Sequence, residues 1–325
     1  MERRRISWFG FAIGKWTRPR IAMRAAAFAW LVVPVAALGE PPSLAFRSSE
    51  RGLYAFDTGA MRGVLKVDGA YQGIYPLVDA TTGRSIVHPP GLLSPYRVFS
   101  TNRRYGDAAR DWPTETRLRN DGSVECRWPA ADEHPVAITG VYRWIASRTI
   151  DLELTVTPRV DMPQFELFVS SYLTESFVAS VAARDERGAI RFERADRPVE
   201  SKGQYVMFPI GDGAAARIRD GRWSIGPSPV DWDLGRAAAA PLALRRDTSS
   251  GLAALLMARP GDCFAVSCPW NPATPGAPGY RSLYLSLFGR DLSARESADA
   301  RCRWIIAPGM TDAEAVRHYE AFAAD

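Results

Sequence analysis

The regular alternation of apolar and polar residues is the feature that most constrains how this chain can fold. In residues 149–157 (TIDLELTVT), apolar side chains occupy every second position, with acidic residues or threonines between them. Successive side chains of a strand point to opposite faces, so this segment predicts a half-exposed antiparallel strand. Residues 165–173 predict another strand, in which Glu166 and Tyr172 share one face.

Eight further segments have the length and composition of strands, and turn residues rather than helical patterns separate them. The clearest turn is Asn120-Asp121-Gly122, a sequence typical of a tight hairpin. The additional predicted strands are residues 63–67, 124–128, 136–145, 204–208, 252–258, 263–268, 281–288 and 300–306.

One helix is predicted, close to the C-terminus. Thr311 and Glu314 have the spacing of a capping box, in which the threonine caps the helix and the glutamate bonds back to it. Val316, Tyr319 and Phe322 follow at helical spacing and form an apolar stripe. This stripe is better suited to packing on a sheet than to binding a ligand.

Many short strands without interleaved helices predict an all-β fold of the sandwich, barrel or propeller type. The sequence shows no repeat of 40–50 residues, which disfavours a propeller. We therefore expect a large antiparallel β-sandwich with a short C-terminal helix, formed by a single domain over residues 40–325.

The positive charge of the chain is concentrated in its first 24 residues. They contribute a net charge of +6 to a total of +5, so the remainder is close to −1. The apolar run that follows, residues 25–38, is shorter than the roughly 20 residues that a membrane span needs. A basic segment followed by such a run predicts a signal peptide over residues 1–39, with translation starting at Met1 or Met23.

This reading predicts a periplasmic or secreted protein, attached to a membrane only if the signal stays uncleaved. The near-neutral remainder has no basic stripe, so we expect no nucleic-acid partner. Only three histidines are present, the cysteines show no zinc spacing, and no common cofactor motif occurs. We therefore predict neither a bound metal nor a cofactor. We expect the four cysteines to be small buried residues. The sequence leaves open whether two of them form one disulfide.

The segment 96–115 (YRVFSTNRRYGDAARDWPTE) is rich in arginine and aromatic residues. Arginine donates to carboxylates or hydroxyls, and aromatic faces can stack on sugar rings. Aromatic residues beside polar groups elsewhere extend the candidate set. The predicted substrate-binding residues are Arg97, Asn102, Arg103, Arg104, Tyr105, Trp112, Tyr172, Trp232, Trp270 and Tyr284. The alternative is a solvated loop with internal ion pairs.

Two residues are candidates for acid–base chemistry. His88 precedes the 96–115 segment, and an imidazole can exchange protons near neutral pH. Glu166 could carry a proton if its strand face lines a cleft, because burial raises the pKa of a carboxyl group. The same face could instead be the solvated side of the sheet.

The strand pattern, the arginine-rich loop and the closing segments LFGRDL (287–292) and RCRWII (301–306) resemble the galactose-mutarotase-like supersandwich. This resemblance covers most of the chain by pattern and contains no diagnostic motif. It implies carbohydrate binding in a cleft on a concave sheet. In aldose epimerases a histidine is the acid and a glutamate the base, which by position and chemistry implies these roles for His88 and Glu166.

The sequence thus predicts an exported carbohydrate-binding or carbohydrate-active protein whose partner is a sugar or oligosaccharide. Its chemistry would be metal-free acid–base catalysis, namely mutarotation, epimerisation or elimination by an epimerase-like isomerase or a polysaccharide-lyase-like enzyme. One alternative is a non-catalytic carbohydrate-binding or envelope-associated module. The other is a structural protein without a small-molecule site.

Overall fold

A computed structural model of the protein describes residues 41–195, 205–273 and 279–325. Within it, Pro42–Asp325 form one compact unit. The predicted signal peptide and both candidate start sites lie outside the described residues. None of the described helices is long and apolar enough to cross a membrane.

Three sheets make up the described part of the chain, with strands numbered in chain order. A four-stranded sheet stands first and is built from neighbouring strands. Its members are β1 (Ser43–Glu50), β2 (Leu53–Asp57), β3 (Met61–Lys66) and β4 (Gly73–Asp79).

The two larger sheets form the sandwich. In spatial order, the nine-stranded sheet contains β13 (Ile190–Arg194), β12 (Phe177–Arg184), β16 (Leu242–Asp247), β17 (Leu252–Ala258), β21 (Ala298–Pro308), β10 (Thr149–Pro158), β9 (Val136–Ala146), β8 (Val124–Trp128) and β7 (Glu115–Leu118). The eight-stranded sheet contains β15 (Asp233–Leu234), β14 (Val206–Pro209), β18 (Cys263–Ser267), β20 (Tyr280–Leu292), β11 (Met162–Leu173), β5 (Ser94–Ser100) and β6 (Arg103–Tyr105), with β19 (Trp270–Asn271) paired to β20. All pairings are antiparallel except that of β14 with β15. The predicted all-β sandwich is confirmed.

The alternating side chains of the strands produce three buried clusters. On β11, Phe165, Leu167 and Val169 point into the main core, which all three sheets share. Phe168 and Tyr172, on the opposite face of the same strand, belong to a separate aromatic cluster. The period-two geometry of a strand therefore gives the eight-stranded sheet two buried faces.

The outer face of the nine-stranded sheet is covered by the C-terminal helix α2 (Asp312–Ala324). Its predicted capping box is present, since the Thr311 hydroxyl accepts from the Glu314 amide at 3.2 Å and the Glu314 carboxylate accepts from the Thr311 amide at 2.8 Å. Tyr319 and Phe322 are buried as predicted, but the third buried position is Ala315, while Val316 is only half-buried. The stripe is thus rotated towards Ala315.

The other helical segments are short. They are the helix α1 (Ala214–Ile218) and the 3₁₀ turns Ala109–Asp111 and Arg222–Ser224, none of which the sequence pattern predicts.

The predicted hairpin turn at residues 120–122 connects β7 and β8. Gly122 has a φ of 78°, a conformation that suits glycine, and the Asp121 carboxylate accepts from the Ser123 amide at 3.0 Å. The predicted half-exposed face of β10 is less exposed than its alternation indicates. Asp151 on that face is buried, because Arg301 and Arg303 pair with it at 2.5 and 2.6 Å.

The cysteines behave as the small buried residues that the sequence predicts. Cys126, Cys263 and Cys302 are buried thiols outside any disulfide. Burial raises the pKa of Cys263 to about 12, so this thiol stays protonated at neutral pH.

Candidate functional site

The outer face of the eight-stranded sheet carries an aromatic cluster that is separate from the main core. Phe168 and Tyr172 from β11 and Tyr284 from β20 form its floor. Phe168 packs edge-on against Tyr284 at a centroid distance of 4.9 Å, and Tyr172 lies 5.6 Å from the same ring. Residues 223–232, which we call the covering segment, fold over this floor. They bring Trp223 and Trp232 into the cluster.

A cavity of about 420 Å³ opens between the aromatic floor and the covering segment, and we call it the aromatic cleft. Its polar and aliphatic lining consists of Arg97 and residues 228–231. Its aromatic lining consists of Tyr96, Phe168, Tyr172, Tyr205, Trp223, Trp232, Tyr280 and Tyr284.

A fully buried ion pair anchors the covering segment to the sheet. Arg222 and Glu166 both have 0% of their side chains exposed, and the Arg222 Nη1 donates to the Glu166 Oε2 at 3.0 Å. Asp220 holds the other side of the same guanidinium, at 2.9 Å from Nη2. Because Arg222 immediately precedes Trp223, this pair fixes the place where the covering segment enters the cleft.

Arg97 lies in the wall of the cleft with its guanidinium packed between aromatic rings. It is 2% exposed, and its Cζ lies 4.9 Å from the Tyr96 ring centre and 5.2 Å from that of Trp223. Its Nη2 donates to the Ser228 carbonyl at 2.8 Å. Its Nε and Nη1 are buried and have no hydrogen-bond partner in the described part of the chain.

Arg110 lies next to the cleft, behind two of its tyrosines. It is 7% exposed, its Cζ stands 4.1 Å from the Tyr96 ring centre, and its Nη1 donates to the Tyr172 hydroxyl at 3.4 Å. Burial by itself lowers the pKa of Arg110, but Tyr172, Tyr96 and the Asp111 carboxylate outweigh this effect and leave the pKa raised. The side chain is therefore a fixed positive charge.

A third arginine, Arg104, adds to the positive charge near the cleft. It donates to the carbonyls of Ile225 and Pro227 in the covering segment. Its pKa is lowered, first by burial and then by the nearby charge of Arg97. Two guanidinium groups thus repel each other at this wall.

The tryptophans and tyrosines of the cleft supply hydrogen-bond donors as well as flat faces. The indole Nε1 atoms of Trp223 and Trp232 are buried without a partner among the described residues. Burial raises the pKa of both Tyr280 and Tyr284 well above the ordinary value, so both phenols keep their protons at neutral pH. The cleft can therefore donate hydrogen bonds to a ligand from several directions.

Four of the substrate-binding residues predicted from the sequence line this cleft. They are Arg97, Tyr172, Trp232 and Tyr284. Arg104 touches the covering segment from the outside. These residues come from separate parts of the chain, and the sheet and its covering segment bring them together.

The other five predicted substrate-binding residues do not line the cleft. Asn102 and Arg103 are exposed, and the Arg103 guanidinium lies over the Tyr105 ring at 4.8 Å. Tyr105 is buried with its hydroxyl 2.9 Å from that of Ser100. Trp112 is buried and stacks on His134 at 3.6 Å, and Trp270 is buried under Arg281. Their binding role stays a prediction, and their present contacts are those of packing residues.

His88 lies at the edge of the cleft. Its ring centre is 5.6 Å from that of Tyr280, and its backbone amide donates to the Tyr172 carbonyl at 3.1 Å. The Nδ1 atom is 2.5 Å from the Pro89 carbonyl, and Nε2 is buried without a partner in the described chain. The structure therefore places His88 beside two tyrosines of the lining.

Glu166 is on the same sheet face as Tyr172 but does not reach the cavity. Burial raises the pKa of Glu166, against the lowering effect of Arg222. Glu166 and Tyr172 are six residues apart on β11, which at about 3.3 Å per residue is roughly 20 Å. Because His88 is beside Tyr172, the structure does not bring the two predicted acid–base residues together.

Several lining residues are absent from the set predicted from the sequence. Phe168 could have been found, because it stands between Glu166 and Tyr172 on one strand face. Tyr96, and Arg110 behind the lining, lie inside the arginine-rich segment, but nothing local distinguishes them from their neighbours. Trp223 reaches the cleft through the folding of residues 223–232, and Tyr205 through the placement of β14, which it directly precedes.

Within residues 41–195, 205–273 and 279–325, no three or more histidine, cysteine, aspartate or glutamate side chains form a group that could hold a metal ion.

Comparison with known proteins gives fold similarities at low sequence identity. No family model and no curated protein matches the chain. A protein of Escherichia coli K12, provisionally named an aldose 1-epimerase, is 12% identical, with a TM-score of 0.48 over 79% of this chain and 99% of its own. The Slr1438 protein of Synechocystis sp. PCC 6803 is also 12% identical, with a TM-score of 0.46 over 83% and 97%.

A third similar structure is the heparan sulfate lyase HepC of Pedobacter heparinus. It is 9% identical, with a TM-score of 0.48 over 84% of this chain and 38% of the lyase.

Proposed function

We propose that this chain is an exported carbohydrate-binding protein, and that its saccharide lies in the aromatic cleft. The observation that carries the proposal is the cleft itself, a cavity of about 420 Å³ with eight aromatic side chains and a buried arginine in its walls. This volume lies within the range of small-molecule pockets, about 300–1,000 Å³.

The chemistry of the walls favours a sugar over a purely apolar ligand. Flat aromatic faces pack against the C–H face of a sugar ring. The unpartnered donors of Arg97, Trp223 and Trp232 would cost free energy if an apolar ligand covered them, because buried polar groups need partners. Sugar hydroxyls supply acceptors at the edge of the same ring that stacks.

Binding to a glycan panel tests this function. We expect Trp232→Ala and Tyr205→Ala to weaken binding about tenfold or more, because each removes a stacking face from the cleft. Tyr75→Ala is the matched control, since Tyr75 is an exposed aromatic residue outside the lining. If no glycan binds, or if all three variants bind like the wild type, the proposal is wrong.

A second function, acid–base chemistry on the bound sugar, is favoured by the position of His88. Its buried Nε2 has no partner among the described residues, and its ring contacts Tyr280 of the lining. The reaction would be mutarotation, epimerisation or elimination. His88→Ala should abolish turnover of a bound saccharide while binding persists, whereas His318→Ala on the exposed face of α2 should change neither. If the wild type binds a saccharide without turning it over, the alternative of a non-catalytic carbohydrate-binding module remains.

Export is part of the proposal and rests on the basic segment followed by the apolar run at residues 25–38. Joining residues 1–40 to a leaderless periplasmic reporter tests it. Reporter activity outside the cytoplasm is expected, and replacing two residues of the apolar run by arginine should abolish it. Retention of the unmodified fusion inside the cell would contradict export.

A further inference from the structure

We infer that the saccharide of the aromatic cleft is acidic, and that the Arg97 guanidinium neutralises its carboxylate or sulfate group while Arg110 adds a second positive charge behind the lining. This inference deepens the proposed function and rests on it. It comes from the charge balance of the cleft rather than from its aromatic lining.

Arg97 is a buried cation whose charge no carboxylate of the described chain balances. It lines the cleft at 2% exposure, and its hydrogen bonds go to the Ser228 carbonyl and the Tyr96 hydroxyl. Two of its three nitrogens, Nε and Nη1, have no partner in the described residues. Buried charges in proteins are normally paired, so such a group indicates a site for an external anion.

Arg110 is also a buried arginine with an unpartnered nitrogen, and it lies behind Tyr96 and Tyr172 of the lining. Its hydrogen bond goes to the Tyr172 hydroxyl, and its Nε is buried without a partner in the described chain. The flat guanidinium packs on Tyr96, whose ring also touches Arg97. The Tyr96 ring thus contacts two positive charges, and both act on the cleft through a medium of low polarity.

No nearby carboxylate of the described chain pairs with Arg97. Asp111 acts on Arg110 and helps to raise its pKa, but this carboxylate is exposed and accepts from the Tyr71 amide at 2.7 Å.

Glu166 and Asp220 are both occupied by Arg222. Asp231 lines the cleft, but it is exposed at the mouth, where water screens its charge. The chain after its first 24 residues carries a net charge near −1, so the positive cleft is a local feature and not a reflection of a basic protein.

A set of ligands that differ only at C6 tests the inference. The probes are cello-oligosaccharides, the same oligosaccharides oxidised to uronates at C6, and their 6-O-sulfated forms. Calorimetric titration at low and moderate salt compares the full chain with Arg97→Met, Arg97→Lys and the control Arg317→Met. Arg317 is an exposed arginine on α2, which covers the nine-stranded sheet, and it does not line the cleft.

We expect at least one acidic probe to bind about 10-fold to 100-fold more tightly than the neutral one, as a charge-assisted hydrogen bond allows. Arg97→Met should remove that difference by weakening binding of the acidic probe more than binding of the neutral one. Arg97→Lys should retain part of it, which also covers the case in which the methionine variant folds poorly. Comparing the affinities of the C6-oxidised and the 6-O-sulfated probes shows which anion the cleft prefers.

Equal or tighter binding of the neutral probe would overturn the acidic ligand and leave the proposed sugar-binding function standing. An acidic preference that Arg97→Met and Arg97→Lys both keep in full would overturn the role of Arg97. Failure of all three probes, together with a glycan panel that shows no binding, would overturn the proposed function and the inference with it.

Discussion

The pair of Glu166 and Arg222 shows how one buried interaction supports the whole cleft. Neither side chain touches water, and Arg222 also holds Asp220. A charge without a partner at this depth is costly, so each member of the pair depends on the other. Their contribution to the cleft is positional, because Arg222 sets the start of the segment that carries Trp223 and Trp232.

Replacing Glu166 by glutamine tests this positional role. We expect Glu166→Gln to lower the free energy of unfolding by about 2 kcal/mol, because Arg222 keeps Asp220 but loses a charged partner. Urea unfolding measures the change, and Glu153→Gln on β10 is the control, expected within about 0.5 kcal/mol since Glu153 is exposed. A stability of Glu166→Gln equal to the wild type would show that the pair is not an anchor.

Asp247 gives a prediction about pH. Its carboxylate accepts from the Ser249 amide at 2.9 Å and from the Ser250 hydroxyl at 2.5 Å, in the turn after β16. Burial tends to raise the pKa of Asp247, but hydrogen bonds from Ser250 and Ser249 outweigh it and lower the pKa to about 2. A carboxyl with a lowered folded-state pKa stabilises the protein above its unfolded-state pKa and loses this effect as the pH falls.

We therefore expect Asp247→Asn to cost about 2 kcal/mol in the free energy of unfolding at pH 7, and roughly half of that at pH 3. Denaturant curves of both proteins at the two pH values measure it. Glu320→Gln, at an exposed position on α2, should differ little from the wild type at either pH. A cost for Asp247→Asn that is the same at pH 7 and pH 3 would contradict the lowered pKa.

At the scale of elements, α2 is held by its buried face more than by its cap. Phe322 is fully buried, and the guanidinium groups of Arg303 and Arg301 lie 4.5 and 5.2 Å from its ring centre. Phe322→Ala should lower the free energy of unfolding by about 3–4 kcal/mol through the cavity it leaves.

Val316→Ala is the matched test of which residues form the stripe. Val316 is half-buried, so we expect a loss below about 1 kcal/mol in the same denaturant experiment. A loss as large as that of Phe322→Ala would mean that the helix packs through Val316, as its sequence spacing indicates, and not through Ala315.

The elements also show how far the sequence predicts this fold. Val124–Trp128 and Leu252–Ala258 were predicted to the residue, and the Thr311 cap was correct, because local patterns and turn residues determine such boundaries. Asp151 could not be predicted as buried, since its partners Arg301 and Arg303 are about 150 residues away. Helix α1 was missed because five residues carry too little periodicity.

The candidate site was predictable only in part, because local sequence patterns place some of its residues and tertiary folding places the others. Tyr172 and Tyr284 follow from strand faces that the alternation defines, and Arg97 follows from its arginine-rich segment. Trp223 and Tyr205 could not follow from local pattern, because Trp223 lies in a short 3₁₀ turn, Tyr205 lies directly before β14, and only tertiary folding brings both to the cleft. The separation of His88 from Glu166 depends on register, since β11 pairs with β5 at Glu166 and reaches His88 only at its far end.

On the scale of the whole molecule, the outer faces of the two large sheets are covered differently. Helix α2 closes the outer face of the nine-stranded sheet with an apolar contact. The covering segment over the eight-stranded sheet leaves a cavity between aromatic rings and arginines. One sandwich thus has a sealed face and an open one, and the proposed function belongs to the open face.

A crystal structure with a C6-oxidised cello-oligosaccharide bound at saturating concentration tests the central claim most directly. The account predicts a sugar ring stacked on Trp232 or a tyrosine of the cleft, with its carboxylate hydrogen-bonded to Arg97. Occupancy at any other surface, with the aromatic cleft holding no sugar, would contradict it.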